Sequence, residues 1–133
     1  MTRWGRWLRL GTLLTAAGGL WSCVAPILTV PPPGAVTFTP AAVVDVATGA
    51  QKTVWTTKGG PLQEASLAQF FIVNQRLASG VIATAQADGS FTAPAMDGMA
   101  DDQIVIFYRT PGGDYSDSIC DLLSDAAVPA SCR

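Results

Sequence analysis

Histidine is absent from this chain of 133 residues, so neither a Ser-His nor a Cys-His nucleophile pair can be assembled from it. Charge is scarce as well: only 14% of the residues are Asp, Glu, Lys or Arg. Eight basic residues face ten acidic ones, and no stripe of Lys and Arg is available to meet a phosphate backbone. A phosphate-cradling glycine loop is also missing. Gly59-Gly60 and Gly112-Gly113 run into Pro61 and Asp114 rather than into a Lys and a helix start, which makes them turn glycines. Cysteine occurs three times, at Cys23, Cys120 and Cys132. With no imidazole and so few thiols, the composition argues against a tetrahedral zinc site.

What is present begins with an ordered N-terminus. Arg3, Arg6 and Arg9 are the only charges in the first twenty-two residues, and the uncharged stretch from Leu10 to Ser22 follows them. A positive segment followed by a short apolar one is the layout of an export signal. At about 1.5 Å of rise per residue the apolar stretch is too short for a hydrocarbon core of roughly 30 Å, so a permanent spanning helix is the weaker reading.

Leu20-Trp21-Ser22-Cys23 resembles the bacterial lipobox, in which an aliphatic and a small residue precede a cysteine that is lipidated and becomes the mature N-terminus. Leu20, Ser22 and Cys23 fit the pattern, whereas Trp21 stands where a smaller side chain is usual. The alternative is an ordinary signal peptide with a buried or disulfide-bonded Cys23, but no Ala-x-Ala-like cleavage site lies nearby. The resemblance implies three acyl chains on Cys23, and at about 0.8 kcal/mol per buried CH₂ such an anchor is effectively permanent. Val24 rather than Asp follows the cysteine, which in the Gram-negative sorting pattern implies the outer membrane. The expected organisation is a signal peptide over 1–22, a lipid-anchored Pro-rich linker over 23–34 and a β-domain over 35–133.

Removal of residues 1–22 leaves 111 residues, enough for one core. Only Lys52, Lys58, Arg76, Arg109 and Arg133 then stand against all ten acids, a net of minus five, and Trp55 is the sole remaining tryptophan. That balance disfavours nucleic acid and anionic headgroups alike, so the membrane contact falls to the lipid on Cys23. Cys120 and Cys132 remain as a pair, and an oxidising compartment predicts a disulfide between them. It would close a loop worth roughly 3 kcal/mol in the chain-entropy account. The stretch Val24–Gly34, with Pro26 and Pro31-Pro32-Pro33, predicts an extended spacer reaching roughly 30 Å, or a few residues from Ile27 to Val30 docked as an edge strand.

Past Gly34 the chain alternates short β-branched and aromatic runs with turn signals, which predicts a small all-β domain. The expected strands are Val36–Thr39, Val43–Val46, Thr53–Thr57, Gln69–Asn74, Val81–Gln86, Ser90–Ala95 and Gln103–Thr110, a seven-stranded antiparallel sandwich. Period-2 alternation puts Phe91, Ala93 and Ala95 on one buried face, and Val81, Ala83 and Ala85 on another. Ile104, Ile106 and Tyr108 alternate with Val105 and Phe107, so this strand is apolar on both faces and belongs in the middle of a sheet. Leu62–Leu67 carries helix formers and reads as a loop or helical turn before Gln69.

From Phe71 to Ser116, about a third of the chain, the succession is similar to bacterial immunoglobulin-like and carboxypeptidase-regulatory (transthyretin-like) β-sandwich repeats of cell-envelope proteins. The matching features are a strand ending at Asn74, Gly80, Asp88-Gly89-Ser90-Phe91, Ile104-x-Ile106-x-Tyr108 and Gly113-Asp-Tyr-Ser116. The resemblance implies a tight turn at Asp88-Gly89 and a core plug at Phe91. Asp101-Asp102 stands where many relatives have Gly-Asp. Such modules are mostly accessory, adhesive or spacer units, which implies no enzyme, no cofactor and envelope proteins as partners.

Acidic residues concentrate late in the chain, at Asp97, Asp101, Asp102, Asp114, Asp117, Asp121 and Asp125. Loop carboxylates gathered at one end of a sandwich would suit calcium, and Asp97, Asp101 and Asp102 are the candidate ligands. No EF-hand or glycine-aspartate repeat accompanies them, so solvated loop charges are the simpler reading. Trp55, among alternating Thr and Val, reads as a packing residue rather than an exposed ligand platform. The sequence therefore points to a non-catalytic, lipid-anchored envelope module, with a calcium- or carbohydrate-binding lipoprotein as the alternative.

Overall fold

A computed structural model describes residues 29–133. Cys23, the expected signal segment and residues 27 and 28 of the candidate edge strand lie outside the described residues. Among the described residues there are eight strands rather than the expected seven, in the order β1 (Val36–Val44), β2 (Gln51–Gly59), β3 (Gln69–Asn74), β4 (Ser79–Thr84), β5 (Phe91–Thr92), β6 (Met96–Asp97), β7 (Gln103–Arg109) and β8 (Ile119–Leu122). Two antiparallel sheets result. One is β1-β2 with β5 and β6 both on the far side of β2, and the other runs β4-β3-β7-β8. Among the described residues no helix is long and apolar enough to cross a membrane.

The expected strands Val36–Thr39 and Val43–Val46 are one strand that runs straight through Pro40, with Val46 in the turn beyond it. The reason lies in the ladder. The Asp45 amide donates to the Ala50 carbonyl at 2.8 Å, and antiparallel pairs alternate between bonded and non-bonded positions. Counting back two residues at a time along the continuous register makes Val43, Ala41 and Thr39 bonded positions. The Pro40 nitrogen thus faces the free edge, where no N–H is needed. The turn itself is held by Asp45 Oδ1, which accepts the Ala47 amide at 2.8 Å.

The expected strand Ser90–Ala95 is instead split into β5 and β6, because Pro94 interrupts the ladder and the inward parity slips there. Phe91 and Ala93 are buried as expected, but Ala95 is exposed and Met96 takes the buried place. Strand β8 was not expected, since Cys120 and Asp121 break any apolar alternation. It forms because β7, apolar on both faces, needs a second neighbour: β7 sits between β3 and β8, with Ile106 opposite Ile119. Strand β3 keeps the expected bounds, and the helical turn before it is a short 3-10 segment over Gln63–Ala65.

One core lies between the sheets. Phe38 and Trp55 enter from the first sheet, and Phe70, Ile72, Ile104, Ile106 and Tyr108 from the second. Phe91 stacks on Phe70 with ring centroids 4.0 Å apart and so joins the two layers. Each of these large side chains stabilises the fold by about 1.5–3 kcal/mol through burial. The approach of Phe91 also explains Gly59: a β-carbon there would overlap the Phe91 ring. Asp88 Oδ1 accepts the Ser90 amide and hydroxyl at 2.9 and 2.6 Å, while Gly89 takes a φ of +82°. The positions assigned a tight turn and a core plug by the resemblance occupy those places.

The end of the stretch expected to be a spacer is docked. Val30 packs against the core, the Tyr108 hydroxyl donates to the Pro31 carbonyl at 2.8 Å, and Pro33 is buried. Residues 29–35 form no strand.

Candidate functional site

The acidic candidates are Asp97, the last residue of β6, and Asp101 and Asp102 on the connection into β7, at the end of the molecule where β3 turns into β4. Asp102 is buried and is the hub of this end. Its Oδ2 accepts from Asn74 Nδ2 at 2.7 Å, from the Met99 amide at 2.9 Å and from Arg76 Nη2 at 2.9 Å. Its Oδ1 accepts from Arg76 Nε. Asn74, fully buried at the end of β3, passes the connection on by accepting the Leu77 amide through Oδ1 at 3.2 Å. The Asp102 carbonyl takes the Leu123 amide at 2.9 Å. Through its carboxylate and its main-chain carbonyl, this one residue clasps the β3–β4 turn, the 97–102 connection and the end of β8.

The cationic Arg76 fork, with the Asn74 and Met99 donors, holds the Asp102 carboxyl well below the usual carboxylate range, against the opposing effect of its burial. Asp101 beside it is exposed and adopts a left-handed backbone with φ of +67°. Besides Gly, Asp is among the few residues that tolerate the conformation. Asp97 is exposed and its Oδ1 lies 2.9 Å from Lys52 Nζ. Trp55 is buried, and its indole N–H donates to the Gly98 carbonyl at 3.1 Å, so it holds the loop rather than offering a stacking face.

These residues border a cleft of about 580 Å³, walled by Lys52, Trp55, Arg76, Leu77, Asp97 and Met99. Both cations at its rim already have carboxylate partners, and what the cleft leaves open is apolar, chiefly Leu77 and Met99. The three candidate ligands do not converge: one carboxylate is turned to Lys52, one to Arg76, and the third to solvent. Among the described residues no three Asp, Glu or Cys side chains are grouped to hold a metal ion. The later acids are scattered as well. Asp114 and Asp117 lie on the connection leaving the far end of β7, which at about 3.4 Å per residue is roughly 20 Å from Asp102.

Cys120 and Cys132 form the expected disulfide, with Cα atoms 5.3 Å apart. Its effect is to lay the C-terminal segment along β8: the Cys132 amide donates to the Cys120 carbonyl at 2.9 Å and the Leu122 amide to the Ala130 carbonyl at 2.7 Å. Asp121 is half-buried under this segment, and burial pushes its carboxyl above the usual range. Sequence reasoning did not identify Asn74, Arg76 or Lys52 as partners of the acids. Only one signal pointed to them: a polar Asn closing an apolar strand, with one of the few basic residues two positions on.

The fold and this end of it define a small two-sheet β domain of sandwich type, fastened by an internally satisfied polar clasp and one disulfide. Compared with protein-family models, with curated proteins and with solved structures, the chain matches none.

Proposed function

We propose that this chain is a lipid-anchored module of the bacterial cell envelope, held through Cys23, whose immunoglobulin-like or carboxypeptidase-regulatory-like sandwich serves a structural or protein-interaction role and not catalysis. The observation that carries the reading is the order of the N-terminus: three arginines, an uncharged stretch, then Leu20-Trp21-Ser22-Cys23. The Cys120–Cys132 disulfide supports an oxidising compartment, and it leaves Cys23 as the one cysteine outside that bond. The polar clasp supports a non-catalytic role, because Asp102, the most strongly perturbed acid, is committed to Arg76, Asn74 and the Met99 amide. With Val24 after the cysteine, the outer membrane is the proposed destination.

The test is a Cys23→Ala variant expressed in a Gram-negative envelope and compared with the parent by membrane fractionation and intact-mass measurement. The parent is expected in the membrane fraction at the processed, triacylated mass, and the variant as an unprocessed or soluble chain. A variant that stayed membrane-bound at processed size would sink the lipoprotein reading. The structural or protein-interaction reading is tested separately against the ligand-binding one by thermal melting with calcium and with a glycan panel. A ligand that binds only the folded state raises the melting temperature, so a clear rise would favour the ligand-binding alternative.

A further inference from the structure

The two sheets have four lateral edges, and among the described residues three of them carry a feature that hinders pairing. At β1 the Pro40 nitrogen interrupts the outward row of N–H groups, and on the far side of β2 the partners β5 and β6 are two residues each, separated at Pro94. At β8 the segment pinned by Cys132 takes up the outward Cys120 carbonyl and Leu122 amide. Proline, short strands and covering segments are the ordinary means of preventing edge-to-edge pairing.

Among the described residues strand β4 has none of these. Its register with β3 runs from Gln69 opposite Thr84 to Asn74 opposite Ser79. Two hydrogen bonds set the parity: the Ala85 amide donates to the Ala68 carbonyl, and on the other side of β3 the Gln75 amide donates to the Gln103 carbonyl. Both place Phe70, Ile72 and Asn74 in bonded positions toward β4. The backbone groups of Gly80, Ile82 and Thr84 therefore point away from the sheet, and all three residues are exposed, Ile82 by 55%. From Ser79 to Gln86 there is neither a charge nor a proline.

We propose that β4 is a self-association edge, at which two copies of the chain pair antiparallel about a two-fold axis through Ile82. The strand is self-complementary in the one register that uses every outward group: Ile82 faces its own copy and Gly80 faces Thr84, which gives six main-chain hydrogen bonds. Two identical charged strands would repel, but this one carries no charge, and the small Gly80 leaves room for Thr84 opposite. A second copy therefore meets no like charge and matches every outward group of β4 in that register. The outer row Ile82, Phe71 and Phe107, in which the two phenyl rings stack at 5.0 Å, would continue across the axis as one apolar band. A six-residue edge buries less than about 1,000 Å², so the contact belongs to the transient class.

The experiment uses the full chain purified in detergent, followed by density-matched sedimentation and by amide hydrogen exchange up to about 1 mM. The expected result is a concentration-dependent rise from one chain to two. Amides of Gly80, Ile82 and Thr84 should gain protection with concentration, while those of Val81 and Ala83, already bonded to β3, should not change. Ile82→Lys brings like charges together on the axis and Thr84→Pro removes an outward donor, so each is expected to weaken association about tenfold or more. If Thr84→Pro disturbs the fold, Ile82→Lys on the exposed face still reads the contact. A single chain at every concentration, or a dimer that persists in Ile82→Lys with no change at the three amides, would overturn the proposal.

Discussion

At the scale of single residues, the acid that matters most to the fold is Asp102. Its charge is an asset only while ionised, because four N–H donors from Arg76, Asn74 and Met99 converge on it. Asp102→Asn removes that charge and turns an amide N–H toward groups that are themselves donors. Because Arg76 is half-exposed and therefore partly screened, the expected cost is about 2–4 kcal/mol at neutral pH, in the lower part of the range for broken buried pairs. In a domain of this size that lowers Tm by roughly 10–20 °C. The pH dependence has a definite sign. The folded carboxyl sits below its unfolded value of about 3.9, so its stabilisation is complete above that pH and fades as pH falls through the folded value. The Tm gap between parent and variant should accordingly narrow when melts are repeated from pH 7 down to about pH 2. Equal Tm values at pH 7 would mean that the clasp contributes nothing. Asp121 acts with the opposite sign, since burial raises its carboxyl and protonation in acid relieves that cost.

At the scale of elements, the C-terminal disulfide closes a short loop and at the same time covers the β8 edge. Loop-closure entropy for this separation is worth roughly 3 kcal/mol. Cys120→Ser with Cys132→Ser is expected to lower Tm by roughly 10–20 °C, and the same shift should follow addition of a reductant to the parent. A melt that did not respond to either would show that the segment is held by its hydrogen bonds alone. The elements also show how much of the fold was legible in the sequence. Strand β3 and the double-sided β7 were readable because alternation and apolar density are local properties. Strand β8 was not, because Ile119–Leu122 becomes a strand only by filling the space beside β7 and under the C-terminal segment. The parity slip at Pro94 was hidden for a similar reason: the next inward place goes to Met96 because β6 re-pairs with β2 at Trp55.

At the scale of the whole molecule, anchor and domain are separate in the proposed arrangement, joined by a chain whose docked part is in place by Val30. Cys23 lies before that point, so removing its side chain should leave the core untouched. In detergent, Cys23→Ala is expected to melt within about 1 °C of the parent, even though its partition to the membrane is lost. A large Tm change would instead tie the N-terminal segment to the stability of the sandwich.

The sequence by itself determined the β class, the positions of most strands, the buried faces of β4 and β7, and the pairing of Cys120 with Cys132, since each depends on neighbours within a few residues or on elimination among three cysteines. Of the acidic end it showed the carboxylates but not their use. Arg76 reaches Asp102 across 26 positions and Lys52 reaches Asp97 across 45, and no local pattern encodes such meetings. Only the tertiary structure decided that Asp97 and Asp102 are fastened to cations instead of converging on a metal, and that among the described residues β4 is the edge with neither proline, covering segment nor interruption. Both depend on where distant segments come to rest once the sheets close over a common core.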